Sequence, residues 1–381
     1  MMRCAECKGK GMCGLPRCPI LSRFHARLKI KPASSYSGGS PSLFIGSYGY
    51  PEVSGGPLLI DDPDNPPLWL AEGRTIDDIV GIRARTIRGT SGIRSYTGSL
   101  QEIALSSRPV DVEVSFARPV SFDLAFDGTV APVGLSAAMK AIDVIGNARV
   151  DRIVDKVTSD TDMSATDACA TLSSSEVDVY RITQLFSAGL LGRKRTFVPT
   201  RWAITAVDDT VSTRLKKAIA GYPPLPELRV FSGEVFGNRI VCILVPGDWK
   251  YEMIEIWKRH TLWGGDEDMI VQDREGMVKR GYSPISGAYY SARLAACEYL
   301  AAQRRCARVF LIRSVSNEYW APLGTWVIRE ASRKAFAAPA QAFPTLDAAV
   351  AEASLRLGFS DWVRHSTLLP ELKSQRTLFQ F

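Results

Sequence analysis

Four cysteines fall within fifteen residues at the start of this chain, as Cys4-x2-Cys7-x5-Cys13-x4-Cys18-Pro19. A segment that short cannot bury a core, so its order must come from cross-links. No apolar signal-peptide region begins the chain, which argues against disulfides. Four thiolates, with Gly9, Gly11 and Gly14 between them, can instead close around one tetrahedral Zn²⁺ at about 2.3 Å. The metal then supplies the folding energy, about 10–16 kcal/mol in such peptides. Four cysteines saturate the ion, so the site reads as structural rather than catalytic. An iron–sulfur cluster is the rival occupant, although the spacing lacks the usual cluster-binding runs. Gly9-Lys10-Gly11-Met12-Cys13-Gly14 also matches a dinucleotide fingerprint, but no strand precedes it, and the chain has no Walker-type phosphate loop.

The charge follows the same segment. Residues 1–32 carry eight basic side chains against the single acid Glu6, and the rest of the 381 residues are formally balanced. A short basic module on a neutral body points to a polyanion contact, or to a solubilising arm. Apolar residues make up 46% and no run approaches the ~18 that a membrane helix needs, so the expectation is a soluble protein of the cytoplasm and nucleoid with no membrane partner. With three histidines only, histidine-based metal or triad chemistry has little material. Cys169, Cys242, Cys297 and Cys306 lie apart, and we read them as buried and inert.

Beyond residue 32, the Ser/Gly-rich stretch 33–57 reads as loop around a short strand at 43–45. Val112, Val114, Phe116, Val120, Phe122, Leu124 and Phe126 alternate, which predicts a hairpin turning near Ala117-Arg118-Pro119. From 134 to about 191 the pattern is helical, with a Ser-x-x-Asp cap at Ser164 and Asp167. Residues 202–207 read as a strand, and 229–236 with 239–245 as paired strands across Gly237-Asn238. A long helix is expected from Ile285, a strand at 309–315, helices near 324–337 and 345–357, and an extended tail from about His365. The predicted fold class is mixed α/β (α+β). It comprises a zinc module (1–32), a larger α/β domain (33–265), a smaller α/β domain (266–362) and a flexible tail (363–381).

The tail ends in Gln375-Arg376-Thr377-Leu378-Phe379-Gln380-Phe381. Glutamine, an aliphatic at +3 and an aromatic at +6 match the peptide pattern recognised by the DNA polymerase sliding clamp, PCNA. One helical turn places Leu378 and Phe381 side by side for an apolar pocket, with Gln375 as a polar contact. The usual second aromatic at +7 is missing, and Phe379 is its partial substitute. A tail that packs back on its own domain is the plain alternative.

Two further sets carry chemistry. Asp208 and Asp209, at the end of the predicted strand, and Glu252 and Glu255, one turn apart on a predicted helix, can hold Mg²⁺ for metal-dependent cleavage of DNA. The alternative is that Asp209 caps a helix and the glutamates face water. Asp160-x-Asp162 is no calcium loop, lacking the glycine and glutamate such a loop needs. Arg193, Lys194, Arg195 and Arg201 with Trp202 form a basic, aromatic cluster suited to phosphates and an unpaired base. A buried Trp202 with Arg201 paired to an aspartate is equally open.

Several segments together resemble the archaeal Nre proteins over essentially the whole chain. They are the four-cysteine start, Pro41-Ser42-Leu43-Phe44-Ile45-Gly46 with Gly49-Tyr50-Pro51, the block from Val198 to Thr210 (VPTRWAITAVDDT), Gly237-Asn238-Arg239 and the tail. The 198–210 block is the most specific. The resemblance implies a role in DNA-damage repair, zinc binding and recruitment by PCNA, and no catalytic mechanism. A metal-dependent nuclease and a zinc-containing RNA-binding protein are the two other functions to weigh.

Overall fold

The glycine- and serine-rich stretch after residue 32, expected as loop, is largely strand. The computed structural model describes Cys7, residues 9–120 and residues 130–374, with Arg94 and Ser95 by backbone alone. Helix α1 (Pro19–Arg27) leads into β1 (Ala33–Ser40), β2 (Ser42–Ile45) and β3 (Ser54–Leu59). Helices α2 (Pro66–Ala71) and α3 (Ile76–Arg85) follow, then β4 (Ile87–Gly92), α4 (Thr97–Leu105), β5 (Val110–Val120) and β6 (Ser136–Ile145). The six strands form one sheet in the order β1-β5-β6-β4-β3-β2. Within it β4 and β6 run parallel and the other pairs antiparallel.

The alternation from Val110 is real: Val110, Val112, Val114 and Phe116 are buried along one face. The expected turn at Ala117-Arg118-Pro119 does not form, because β5 continues to Val120, which pairs with Ala33 of β1. Phe122, Leu124 and Phe126 lie outside the described residues. The helical reading from 134 also begins too early, since β6 buries Ala137, Met139 and Ile142 as a strand. It holds for α5 (Arg152–Ser159), α6 (Ala165–Ser174) and α7 (Val179–Ser187), and Ser164 Oγ accepts from the Asp167 amide at 3.1 Å, as a cap should.

Helix α1 does not stand off as part of a separate basic arm. It packs against α3, Arg23 is buried, and Arg27 Nε donates to the Val133 carbonyl at 3.1 Å. Those two cations are therefore committed inside the fold. Where a strand was expected at 202–207, the chain forms α8 (Thr200–Ile219). Ala203, Val207 and Val211, four residues apart, are all buried and make one helical stripe.

The second sheet takes β7 (Leu228–Val235), β8 (Asn238–Pro246), β9 (Lys250–Trp257), β10 (Met269–Glu275), β11 (Ala307–Val315) and β12 (Gln341–Phe343) in the order β10-β9-β11-β8-β7-β12. The β7–β8 hairpin turns at the expected Gly237. The parallel β9–β11 pair is bridged in sequence by β10 and the long α9 (Gly287–Gln303). Helices α10 (Trp326–Ala337), α11 (Leu346–Leu357), α12 (Trp362–His365) and α13 (Leu368–Ser374) complete the described chain. Ile254, Ile256, Phe310 and Ile312 share a core with Ala353, Trp362, Leu368 and Leu369.

By compactness the chain divides into one unit built on Cys18–Val211 and another from Ser212 onward, and residue 265 lies within the second, between β9 and β10, which pair directly. The tail is not extended from His365. It stays folded to Ser374, with Leu368 and Leu369 buried; residues 375–381 lie outside the described residues. Among the described residues no helix is long and apolar enough to cross a membrane.

Candidate nucleic-acid interface

The end of β2 is tied to the start of α8. The Ile45 amide donates to Thr200 Oγ1 at 2.8 Å, and the same oxygen lies 3.2 Å from Ser187 Oγ. The loop that leaves β2 is closed by Gly46 N donating to the Ser54 carbonyl at 2.8 Å. Gly49, at φ +75°, makes the reversal that a side chain would strain. The loop presents Tyr48, 96% exposed, and Tyr50, 48% exposed. Trp202, in the first turn of α8, is 41% exposed and meets the Tyr50 ring edge-to-face at 5.1 Å between centroids. Arg201 beside it is exposed, and the first turn of α8 has no acid. Rings held apart from the core next to a cation are what an unstacked base can lie on.

Of the expected basic set, Trp202 meets Tyr50 here, with Arg201 next to it in sequence and Tyr48 in the same loop as Tyr50; neither tyrosine belongs to that set. Their signal was two aromatics in a glycine-rich loop with no apolar period to bury them. Arg195 does other work. Its guanidinium donates to the carbonyls of Thr158 (2.7 Å), Asp160 (2.8 Å) and Leu190 (2.6 Å), closing the C-terminal end of α5. Arg193 Nε donates to the Asp162 carbonyl at 2.8 Å and the side chain stays exposed, as does Lys194.

The four carboxylates do not form the expected metal site. Asp208 is buried and Asp209 half-buried in the interior of α8, not at a strand end. Glu252 and Glu255 lie on strand β9, where an odd separation sends them to opposite faces. Glu252 Oε1 accepts from Thr367 N (2.7 Å), Thr367 Oγ1 (2.9 Å), Leu368 N (3.1 Å) and Gln272 Nε2 (2.9 Å), and its Oε2 accepts from Ser366 Oγ. It is the N-terminal cap of α13. Glu255 pairs with Arg313 directly across the β9–β11 ladder and accepts from Trp257 Nε1 at 2.8 Å. Arg313 Nε in turn donates to Asn238 Oδ1 at 3.0 Å, which accounts for the asparagine of the Gly237-Asn238-Arg239 turn. Among the described residues no group of three or more Asp, Glu, His or Cys side chains is placed to hold a metal ion.

A second buried charge cluster went unseen in the sequence. Glu275 accepts from Lys216 Nζ and Arg293 Nη1, both at 2.7 Å, and from Tyr289 Oη at 3.2 Å; all three charged side chains are buried. Arg293 also donates to Ser212 Oγ from Nε (3.1 Å) and Nη2 (2.9 Å). Burial, with Glu275 close by, raises the Tyr289 phenol far above its ordinary range, so it stays a donor.

Of the four clustered cysteines, Cys4 lies outside the described residues. Cys7 is buried, and Cys13 and Cys18 are half-buried. Gly9, Gly11 and Gly14 all have φ between +73° and +80°, and Lys10 N donates to the Cys7 carbonyl at 2.9 Å. The other four cysteines are buried, and burial raises their thiols, that of Cys169 to about 12. They are not nucleophiles.

Comparison with known proteins gives a consistent result. Residues 12–264 match the family described as Archaeal Nre, N-terminal, and residues 275–381 match Archaeal Nre, C-terminal. The chain is 38% identical over 378 residues to DNA repair protein NreA of Archaeoglobus fulgidus, covering 95% of each. It is 35% identical to DNA repair protein NreB of the same organism over the whole of both chains. It is 34% identical to DNA repair protein NreA of Haloferax volcanii, covering 92% of this chain and 90% of that one. No solved structure matches it. The chain belongs to the archaeal Nre family.

Proposed function

We propose that this chain is a DNA-repair factor that touches DNA through Tyr48, Tyr50, Arg201 and Trp202 and is brought to the sliding clamp PCNA by residues 375–381. The repair role is supported by relatives named as DNA repair proteins along the whole chain. The exposed Tyr50–Trp202 ring pair beside Arg201 carries the nucleic-acid reading. A stacking surface favours unpaired bases over intact duplex, because duplex bases offer no free face. Arg193 and Lys194 are further candidates for phosphate contacts; Arg195 is not, being committed to three carbonyls. The carboxylates are assigned no catalytic role, since each of Glu252 and Glu255 is consumed by a structural partner.

Anisotropy titration of labelled single-stranded DNA, single-stranded RNA and blunt duplex tests this reading. Each stacked base contributes about 1–3 kcal/mol, so Trp202→Ala is expected to weaken single-strand binding roughly tenfold or more, and Tyr48→Ala to weaken it less. Equal affinity of wild type and Trp202→Ala for every probe overturns the assignment. Preference for RNA over DNA would move the ligand to RNA while keeping the surface.

We further propose that Cys4, Cys7, Cys13 and Cys18 hold one Zn²⁺, which closes the N-terminal turns and does no chemistry on a substrate. Metal analysis is expected to find one zinc per chain, lost in the Cys4→Ser and Cys13→Ser variants. Iron with visible absorbance, or no metal, would overturn it.

A further inference from the structure

The C-terminal unit contains a cavity of about 340 Å³ that none of these roles uses. Four cations line it, Lys250, Arg274, Lys279 and Arg280, with the three carboxylates Asp273, Glu275 and Glu371. The carboxylates are already spent. Glu275 is held from behind by Lys216 and Arg293, and Asp273 pairs with Lys279 at 2.6 Å. Glu371, on α13, is shared between Lys250 and Arg274, the latter at 3.0 Å. Arg280 forms no ion pair among the described residues. Positive charge therefore exceeds what the protein supplies to meet it, inside a concavity that focuses the field.

The geometry points to this cavity as a binding site for a nucleoside-monophosphate group, with Lys250 and Arg274 receiving the phosphate in place of Glu371. The pair that must open is cheap to open. Lys250, Arg274 and Glu371 are each a third to a half exposed, and such ion pairs contribute little net stability. A phosphate brings more charge and three acceptor oxygens to the same two donors, and a guanidinium takes it in a bidentate fork. The volume suits a ligand of mononucleotide size. Apolar surface lies beside the cations: Val278, 75% exposed, lines the cavity, and Met277 is exposed in the same loop. A bare inorganic anion would need none of that. The loop runs between Gly276 and Gly281, the latter at φ +72°. The same group arrives either as a free nucleotide or as the 5′-phosphorylated end of a nucleic acid.

Calorimetric titration of the full-length protein distinguishes the possibilities. Thymidine monophosphate is expected to bind and thymidine not to. Glu371→Gln, which removes the competing charge at an exposed position, is expected to tighten binding about threefold or more, and Arg274→Gln to weaken it about tenfold. Comparing 5′-phosphorylated with 5′-hydroxyl oligonucleotides in the Trp202→Ala background tells the two sources apart: a preference for the phosphorylated end assigns the nucleic-acid source, and none assigns the free nucleotide. Thermal melting checks that each variant is folded. If thymidine and its monophosphate behave alike, or if Glu371→Gln and Arg274→Gln both bind the monophosphate as wild type does, the site is not there. That result leaves the Tyr48–Trp202 reading intact, because it involves no residue of this cavity.

Discussion

Glu275→Ala is expected to destabilise the C-terminal unit by about 3–5 kcal/mol, the usual cost of removing one partner from a buried ion pair. Lys216 and Arg293 are both inaccessible to water and both direct a nitrogen at the carboxylate they would lose. Ser212 Oγ still accepts from Arg293, but a neutral hydroxyl does not replace the carboxylate that Lys216 and Arg293 share. The loss should appear as a fall in the denaturant midpoint at unchanged slope. A change below about 1 kcal/mol would mean that water reaches the cluster and that it is not a dry network.

The second large effect is expected in the last seven residues, 375–381. If residues 375–381 are the clamp ligand, Leu378→Ala or Phe381→Ala in the full-length protein should weaken clamp binding about 30-fold, matching ~2 kcal/mol for loss of an interface anchor. Gln375→Ala should cost less, as a peripheral polar contact, and Phe379→Ala should fall between. Surface-immobilised clamp titrated with each protein gives the ranking directly. Indistinguishable affinities for wild type and Phe381→Ala would remove the clamp from the proposal and leave the DNA contact standing.

The parts of the fold that were legible in sequence are those with a clean period. The β7–β8 hairpin announced itself through Gly237 between two apolar runs, and α9 through Ala288, Ala292 and Ala296, all buried. Interior strands hid instead. β9 is buried on both faces between β10 and β11, so it shows no alternation, and the three-residue spacing of Glu252 and Glu255 reads as one helical face. Residues 202–207 misled in the opposite direction. Isoleucine, threonine and valine there favour a strand, while Ala203, Val207 and Val211 supply the helical stripe that tertiary packing selects.

The candidate site was half legible. Arg201 and Trp202 stood out as a basic residue beside an aromatic, but Tyr50 joins them only because the Ile45–Thr200 hydrogen bond ties a loop to a helix 155 positions away. Pairings of that range leave no local trace. The same holds for Lys216, Glu275 and Arg293, whose charges read as surface residues until the fold buries them. Arg195 failed in the converse way, as a cation in a basic run whose three carbonyl acceptors lie in other turns.

The cap that Glu252 places on α13 has a consequence for how the protein is made. Glu252 sits in β9, an interior strand, yet four of its five hydrogen bonds come from residues 366–368. During synthesis β9 leaves the ribosome long before those residues do. Until they emerge, the second sheet can close only with the Glu252 carboxylate lacking four of its five donors. The C-terminal unit should therefore complete its folding only once residues 366–368 have been made, while the N-terminal unit, whose strands have all been made by residue 145, is free to fold earlier in translation.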